Sequence, residues 1–272
     1  MSEIVAVSSD WLALREPEDA RARSRELALE AAAMVPAGPI RIHDLGSGTG
    51  SMMRWLAPLL PGPQTWMLHD WNTELIDRAL DGRAPLDRDG NPVTAHAQPG
   101  GLGDLVANDL AGASLVTASA LLDVLTSREV HAIVNACVSA QVPALFSLSV
   151  TGEVRLSPRD DFDSTIERAF NAHQLRQSEG RRQLGPYGAR VARGLFRHAG
   201  WRVRPAASDW TLDARQPRLL REWLDGWIDA AVEQEPSLRA EGERYRRRRW
   251  AKLDTGDLTA YIRHLELLAW PR

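Results

Sequence analysis

The run IHDLGSGTGSMMRW, residues 42–55, sets three glycines at alternate positions behind a short apolar stretch and an aspartate. Glycine loses more backbone freedom on folding than any other residue; in return it allows positive φ and close approach to the main chain. Gly46, Gly48 and Gly50 therefore mark a sharp turn. Residues 40–45 read as the strand before it and 51–60 as the helix behind it, stopped by Pro61-Gly62-Pro63. A strand, a glycine turn and a helix in succession aim amide N–H groups and a helix N-terminus at whatever lies above the turn.

Outward from this turn, strand-like and helical runs alternate. Residues 64–69, 93–98, 114–118 and 144–150 read as further strands, with Asn72 capping a helix over 74–80. Thr126 and Glu129 have capping-box spacing, and Val130, Ile133, Val134, Cys137 and Val138 share one helical face behind them. Upstream, 11–34 is rich in good helix formers and reads as one leading helix. Downstream, a helix over 187–198, a sixth strand region over 201–212, helices over 219–231 and 239–253, and a closing strand over 258–270 complete the chain. Such alternation predicts an α/β fold, a doubly wound, mostly parallel sheet with helices on both faces, and ligands at the C-terminal strand edge.

The bulk numbers narrow the class. The chain has 272 residues, 44% hydrophobic and 25% charged, with a formal net charge of −3. That is an ordinary globular balance with no global pull towards nucleic acid or anionic membrane. Cys137 is the only cysteine, so neither a disulfide framework nor a cysteine-rich metal site is available within one chain, and no metal site is expected. The N-terminus has no basic start or long apolar stretch, and no segment has the ~18 apolar residues of a membrane span. The expectation is a cytoplasmic protein, monomer or homodimer.

Three carboxylates stand where a nucleotide-like ligand would need them. Asp44 ends the first strand beside the glycines, able to orient their loop or meet a cation. Asp70, after the second strand, could accept both hydroxyls of a ribose. Asp104, in Gly103-Asp104-Leu105 after the third, could accept from an adenine amino group. The pattern D-x-G-x-G-x-G with Asp70 and this G-D-L resembles the cofactor motifs of class I S-adenosylmethionine-dependent methyltransferases over about residues 40–150. The resemblance implies a Rossmann-like sheet of about seven strands whose last strand is antiparallel. It also implies cofactor contacts from Asp44, Gly46, Gly48 and Gly50 to the methionyl part, from Asp70 to the ribose, from Asp104 to the adenine, and from Ser119 beyond the fourth strand, with Ser47, Gly103 and Leu105 also in the cofactor site. Trp71 reads either as a stacking partner for the adenine or as a core tryptophan.

A nicotinamide dinucleotide enzyme is the competing reading, but it wants G-x-G-x-x-G/A and a site that accepts a pyrophosphate. Here the third glycine comes one position early, and Asp44 would repel the phosphates while favouring a sulfonium. A protein that binds S-adenosylmethionine without chemistry is a third reading.

The acceptor is expected to be a small molecule methylated on oxygen, nitrogen or carbon. The chain lacks both the Asn/Asp-Pro-Pro-aromatic signature and the Pro-Cys of nucleic-acid methyltransferases. His173, following the stripe Phe162, Ile166 and Phe170, reads either as a core histidine or as a base, and Asp123 as a second candidate base or a capping residue. His43, His69 and His131 have weaker cases. Arg176, Arg181 and Arg182 could clamp an anionic group on the acceptor or form a solvated face. The arginine run 244–249 reads as surface. The expected division of one domain is a helical lid over 1–38, a cofactor-binding core over 39–150, a substrate cap over 151–186, and C-terminal strands over 187–272 with a helical insert at 213–253.

Overall fold

The computed structural model describes residues 7–178 and 180–272; the first six residues of the expected lid lie outside them. The predicted turn is the hinge of the fold. β1 (Ile40–Leu45) runs into it and α3 (Ser51–Leu56) leaves it, after α1 (Ser9–Ala22) and α2 (Arg25–Met34) have led the chain in. β2 (Gln64–Asp70), α4 (Thr73–Asp81), β3 (Thr94–Pro99), β4 (Leu115–Ser119), α5 (Ser127–Ala140) and β5 (Ala144–Ser157) follow. Then come α6 (Asp163–Gln174), a small hairpin of β6 (Gln177–Ser178) and β7 (Arg181–Arg182), and α7 (Gly188–His198). β8 (Arg202–Ala207), β9 (Trp210–Leu212), α8 (Pro217–Gln234), α9 (Arg239–Asp254) and β10 (Thr259–Trp270) end the chain.

The main sheet has the order β3-β2-β1-β4-β5-β10-β8, with β9 beside β10. Pairings from β3 through β5 are parallel, and β10 is antiparallel to β5, β8 and β9. The order reverses between β1 and β4, the crevice where open α/β sheets hold ligands. Helices cover both faces. α5 and α7 bury Val130, Ile133, Ala192 and Phe196 against one, and α2, α3 and α4 bury Leu27, Met52, Leu56 and Ile76 against the other. A third cluster, built by α6, α8, α9 and β9 around Ile166, Leu224, Trp227 and Tyr245, stands beyond the C-terminal half of the sheet.

Four elements differ from the sequence reading. The single leading helix is two, because Ser24 caps α2 by accepting from the Leu27 amide at 3.2 Å. β5 does not stop at Val150 but continues to Ser157 along β10, so the start of the expected cap belongs to the sheet. It does so through two register shifts, opposite 262–264 and 265–267 of β10. Leu148, at φ +55, lies in the second, where the extra residue bends the strand. The sixth strand region breaks into β8 and β9, both on β10. The arginine run is not all surface. Arg246 and Arg249 are buried, Arg246 held by Asp225 and Asp229 of α8, and Arg249 by Asp163 and the Pro158 carbonyl.

Among the described residues, no helix is long and apolar enough to cross a membrane.

Candidate functional site

A cavity of about 450 Å³ opens at the C-terminal edge of β1, β2, β4 and β5. One end is the glycine turn. Gly46, Gly48 and Gly50 have φ of +63, +52 and +82, values that an L side chain adopts only under strain. Added Cβ atoms would also crowd the site: one at Gly46 would stand 2.6 Å from Leu121, one at Gly48 3.2 Å from Leu12, and one at Gly50 3.1 Å from Ala79. The turn is pinned by Ser47 N donating to the His69 carbonyl and Gly48 N to Asp70 Oδ2, both at 2.9 Å. Asp70 Oδ1 accepts from Asn72 N, so this carboxylate fixes the turn and the start of α4 together.

Asp44 is buried behind the turn. Its Oδ1 accepts from Thr117 Oγ1 at 2.8 Å, while Oδ2 has no partner. Burial lifts its pKa to about 7, against the opposing pull of Thr117 and Arg23. Ser47 Oγ is likewise buried without a partner. Arg23, at the α1–α2 junction, lies under the site and donates through Nη2 to Ser51 Oγ at 2.8 Å and Ser119 Oγ at 2.9 Å. Its Nε and Nη1 have no partner. Burial draws its pKa below the ordinary arginine range, opposed by Asp19, Asp44 and Glu266.

α1 forms the roof, with Trp11, Leu12, Arg15 and Asp19 in the cavity wall. It is latched to the far side of the turn by Glu16, which takes Arg54 Nε and Nη2 at 2.7 and 2.6 Å. The other end of the cavity is apolar, with Leu148, Val150, Phe170, Trp210, Trp223 and Trp227 in its wall. Trp223 and Trp227 stack at 5.4 Å with 16° between planes. The tryptophan stripe of α8 thus packs into the third core cluster and also walls the cavity. Ala120 and Leu148, both non-glycine residues with positive φ, lie in the same wall, strain of the kind that gathers at functional sites.

Several expected site residues meet here. Asp44, Gly46, Ser47, Gly48 and Asp70 line the glycine end, Trp71 stands 44% exposed in its wall, and Ser119 and Asp123 follow from the end of β4. Asp123 is half-buried with Oδ1 closed off and unpartnered, and burial pushes its pKa up to about 6. Arg181 also lines the cavity, but Glu129 holds it with two bonds of 2.8 and 3.0 Å.

Others are placed elsewhere. Gly50 turns its back to the cavity, against α4. Asp104, expected at the adenine, has its side chain 91% exposed and pairs with Arg128 at 3.1 Å. The 3-10 turn over Leu102–Asp104 brings Gly101 and Leu102 to the wall instead, with Gly103 outside it and Leu105 in the core. His173 and Arg176 are both engaged by Glu233 of α8 and do not line the cavity. Arg182 is exposed on the hairpin. His43 and His69 stack on one another at 5.1 Å, and His131 bonds back to the Ser127 carbonyl.

The sequence reading missed Arg15, Asp19, Arg23 and His264. His264 lines the cavity from β10; its single signal in the sequence was a polar residue in an apolar strand.

No family profile matches the chain, and no curated protein matches it in sequence. Among solved structures, a cyclopropane-fatty-acyl-phospholipid synthase-like protein from Lactobacillus casei superposes with a TM-score of 0.53 at 12% identity, over 98% of this chain and 96% of that one. A cyclopropane synthase from Mycobacterium tuberculosis gives 0.49 at 13% identity over 97% and 94%. A S-adenosylmethionine-dependent methyltransferase from Thiobacillus denitrificans, in complex with S-adenosylhomocysteine, gives 0.45 at 13% identity over 97% and 99%. In strand order and antiparallel β10 the chain is a Rossmann-like α/β sheet, a fold it shares with the Lactobacillus casei protein.

Proposed function

We propose that this protein is an S-adenosylmethionine-dependent methyltransferase acting on a small molecule held at the apolar end of the cavity. The observation that carries this reading is the pair of buried, unpartnered oxygens, Asp44 Oδ2 and Ser47 Oγ, beside a turn whose glycines admit a ligand to the backbone. A buried carboxylate oxygen without a partner is costly; an ammonium or sulfonium group would relieve Asp44 Oδ2 where a pyrophosphate would be repelled by it, and Ser47 Oγ could accept from the ammonium. The residues fit the cofactor: Asp44 and Ser47 would face its amino group, Asp70 the ribose hydroxyls and Trp71 the adenine, with Gly101 and Leu102 in the wall where Asp104 was expected. Bound there, it would supply an electrophilic methyl group.

The chain's own residues do the rest. α1 excludes water from above, and the apolar wall orients the acceptor for in-line attack, which supplies much of the acceleration in such displacements. Asp123, shielded and poised near neutrality, takes the proton from an acceptor hydroxyl or amine. The test is ligand-dependent thermal stability. A ligand at one hundred times its Kd adds about 2.7 kcal/mol, so S-adenosylhomocysteine should raise Tm by several degrees while NADH leaves it unchanged. The reverse result would overturn the reading in favour of hydride transfer.

A further inference from the structure

The chemistry of the acceptor is written in the wall facing β10. The two register shifts of β5 against β10 bring Leu148 and Val150 to the cavity on one strand and His264 on the other. His264 is buried beside the Trp210 ring, 5.5 Å between centroids. Its Nδ1 lies 3.0 Å from the Ile262 carbonyl. A carbonyl only accepts, so Nδ1 carries the hydrogen. Nε2 of the neutral ring is then a bare lone pair, and it has no hydrogen-bond partner among the described residues. Burial and the nearby Arg15 hold the ring neutral, its pKa lowered to about 4. Asp19, the hydrogen bond to the Ile262 carbonyl and Asp209 oppose that shift.

The arginines around this chamber are already matched, Arg263 by Glu153. Arg15 is held by Asp19 at 2.8 and 3.1 Å, and Arg181 by Glu129. An anionic acceptor would find no free cation there and would face Asp123. A cationic one would meet tryptophan faces, but its charge would have to be desolvated beside Arg15.

Resting on the reading of the cavity as a methyl-acceptor site, we infer that it takes an uncharged, flat, largely apolar molecule that donates one hydrogen bond from a hydroxyl or N–H to His264 Nε2. His264 is thereby a specificity-determining residue: it selects neutral donors and gives no grip to carboxylates.

Equilibrium dialysis at neutral pH with three probes tests this: naphthol, its methyl ether and naphthoate. Naphthol should bind saturably, about fivefold tighter than the ether, as a net neutral hydrogen bond allows, and naphthoate at least about tenfold weaker. His264→Phe should erase the preference of naphthol over the ether while keeping both bound. The wild-type comparison stands by itself should that variant fold poorly. Equal binding of naphthol and ether by the wild-type protein, or naphthoate binding as tightly as naphthol, would overturn the inference. S-adenosylhomocysteine binding in the same samples separates the two readings. If it is retained and naphthol is excluded, the acceptor chemistry falls and methyl transfer stands; if it is absent, methyl transfer falls on its own measurement.

Discussion

At the glycine-turn end of the cavity, Asp44, Ser47 and Arg23 sit buried with atoms that have no partner, and the backbone is held at positive φ that glycine adopts without strain. At the other end the wall is tryptophan and leucine, and its charges are paired off side chain to side chain. The first end stores electrostatic cost that a ligand can relieve. The second is close to balanced as it stands and recognises by shape and one lone pair. The contrast teaches that substitutions at the two ends should fail differently, one through ligand affinity and pH, the other through acceptor choice.

The largest expected effect tests the point between them. Asp123→Asn should lower turnover of a hydroxyl acceptor by about 10²-fold or more, the typical worth of a general base. Because burial lifts the Asp123 pKa to about 6, wild-type kcat/KM should fall as pH drops below that value, and the variant's profile should be flat there. An unchanged profile in the variant would remove Asp123 from the chemistry.

Next is the contrast itself. Gly46→Val forces a β-branched residue to φ +63 and into Leu121. That should cost S-adenosylhomocysteine binding about 2 kcal/mol, or roughly 30-fold in Kd. Trp223→Ala, at the other end, should leave that Kd unmoved in the same calorimetric titration. Equal losses in both would mean that the cavity does not divide as described.

The smallest effect concerns stability without ligand. The folded-state pKa of Asp44, about 7, exceeds the ordinary aspartate value of 3.8, so between these values the folded chain holds a proton that the unfolded chain has released. Stability from this group is therefore full below about pH 4 and is lost as pH rises to 7. Asp44→Asn should gain ~1–2 kcal/mol over wild type at pH 8, with the gain shrinking towards pH 4, even as it weakens cofactor binding. Chemical denaturation at the two pH values checks it.

What was legible in the sequence follows the same division. The turn at 46–50, β1, β2 and the α5 capping box are local statements, because a glycine spacing or an N-cap specifies its own backbone. The apolar end is not local. Arg15, Leu148, Trp223 and His264 are brought together from α1, β5, α8 and β10, and only the bulges between β5 and β10 turn Leu148 and His264 inward. Asp104 was placed by its distance from the third strand, but a 3-10 turn rotates it outward. The arginine run looked uniformly solvated because adjacent helical residues point all round; yet Arg246 and Arg249, three apart, share the inward face with Gly242 and Tyr245.

One junction reaches beyond the cavity. Ser24, between α1 and α2, donates its amide at 2.7 Å to Glu266 of β10, a contact 242 residues away along the chain, and Ser147 of β5 binds the other oxygen of the same carboxylate. With Leu27, Ala28 and Ala31 fully buried beside it, α2 is a layer of the sheet and not a detachable cover. During synthesis, Ser24 precedes its partner Glu266 by 242 residues, so this bond forms only after β10 has emerged. A nascent chain stalled before residue 266 would thus hold α1 through Glu16 and Arg23 but leave α2 without its tie to the far side of the sheet.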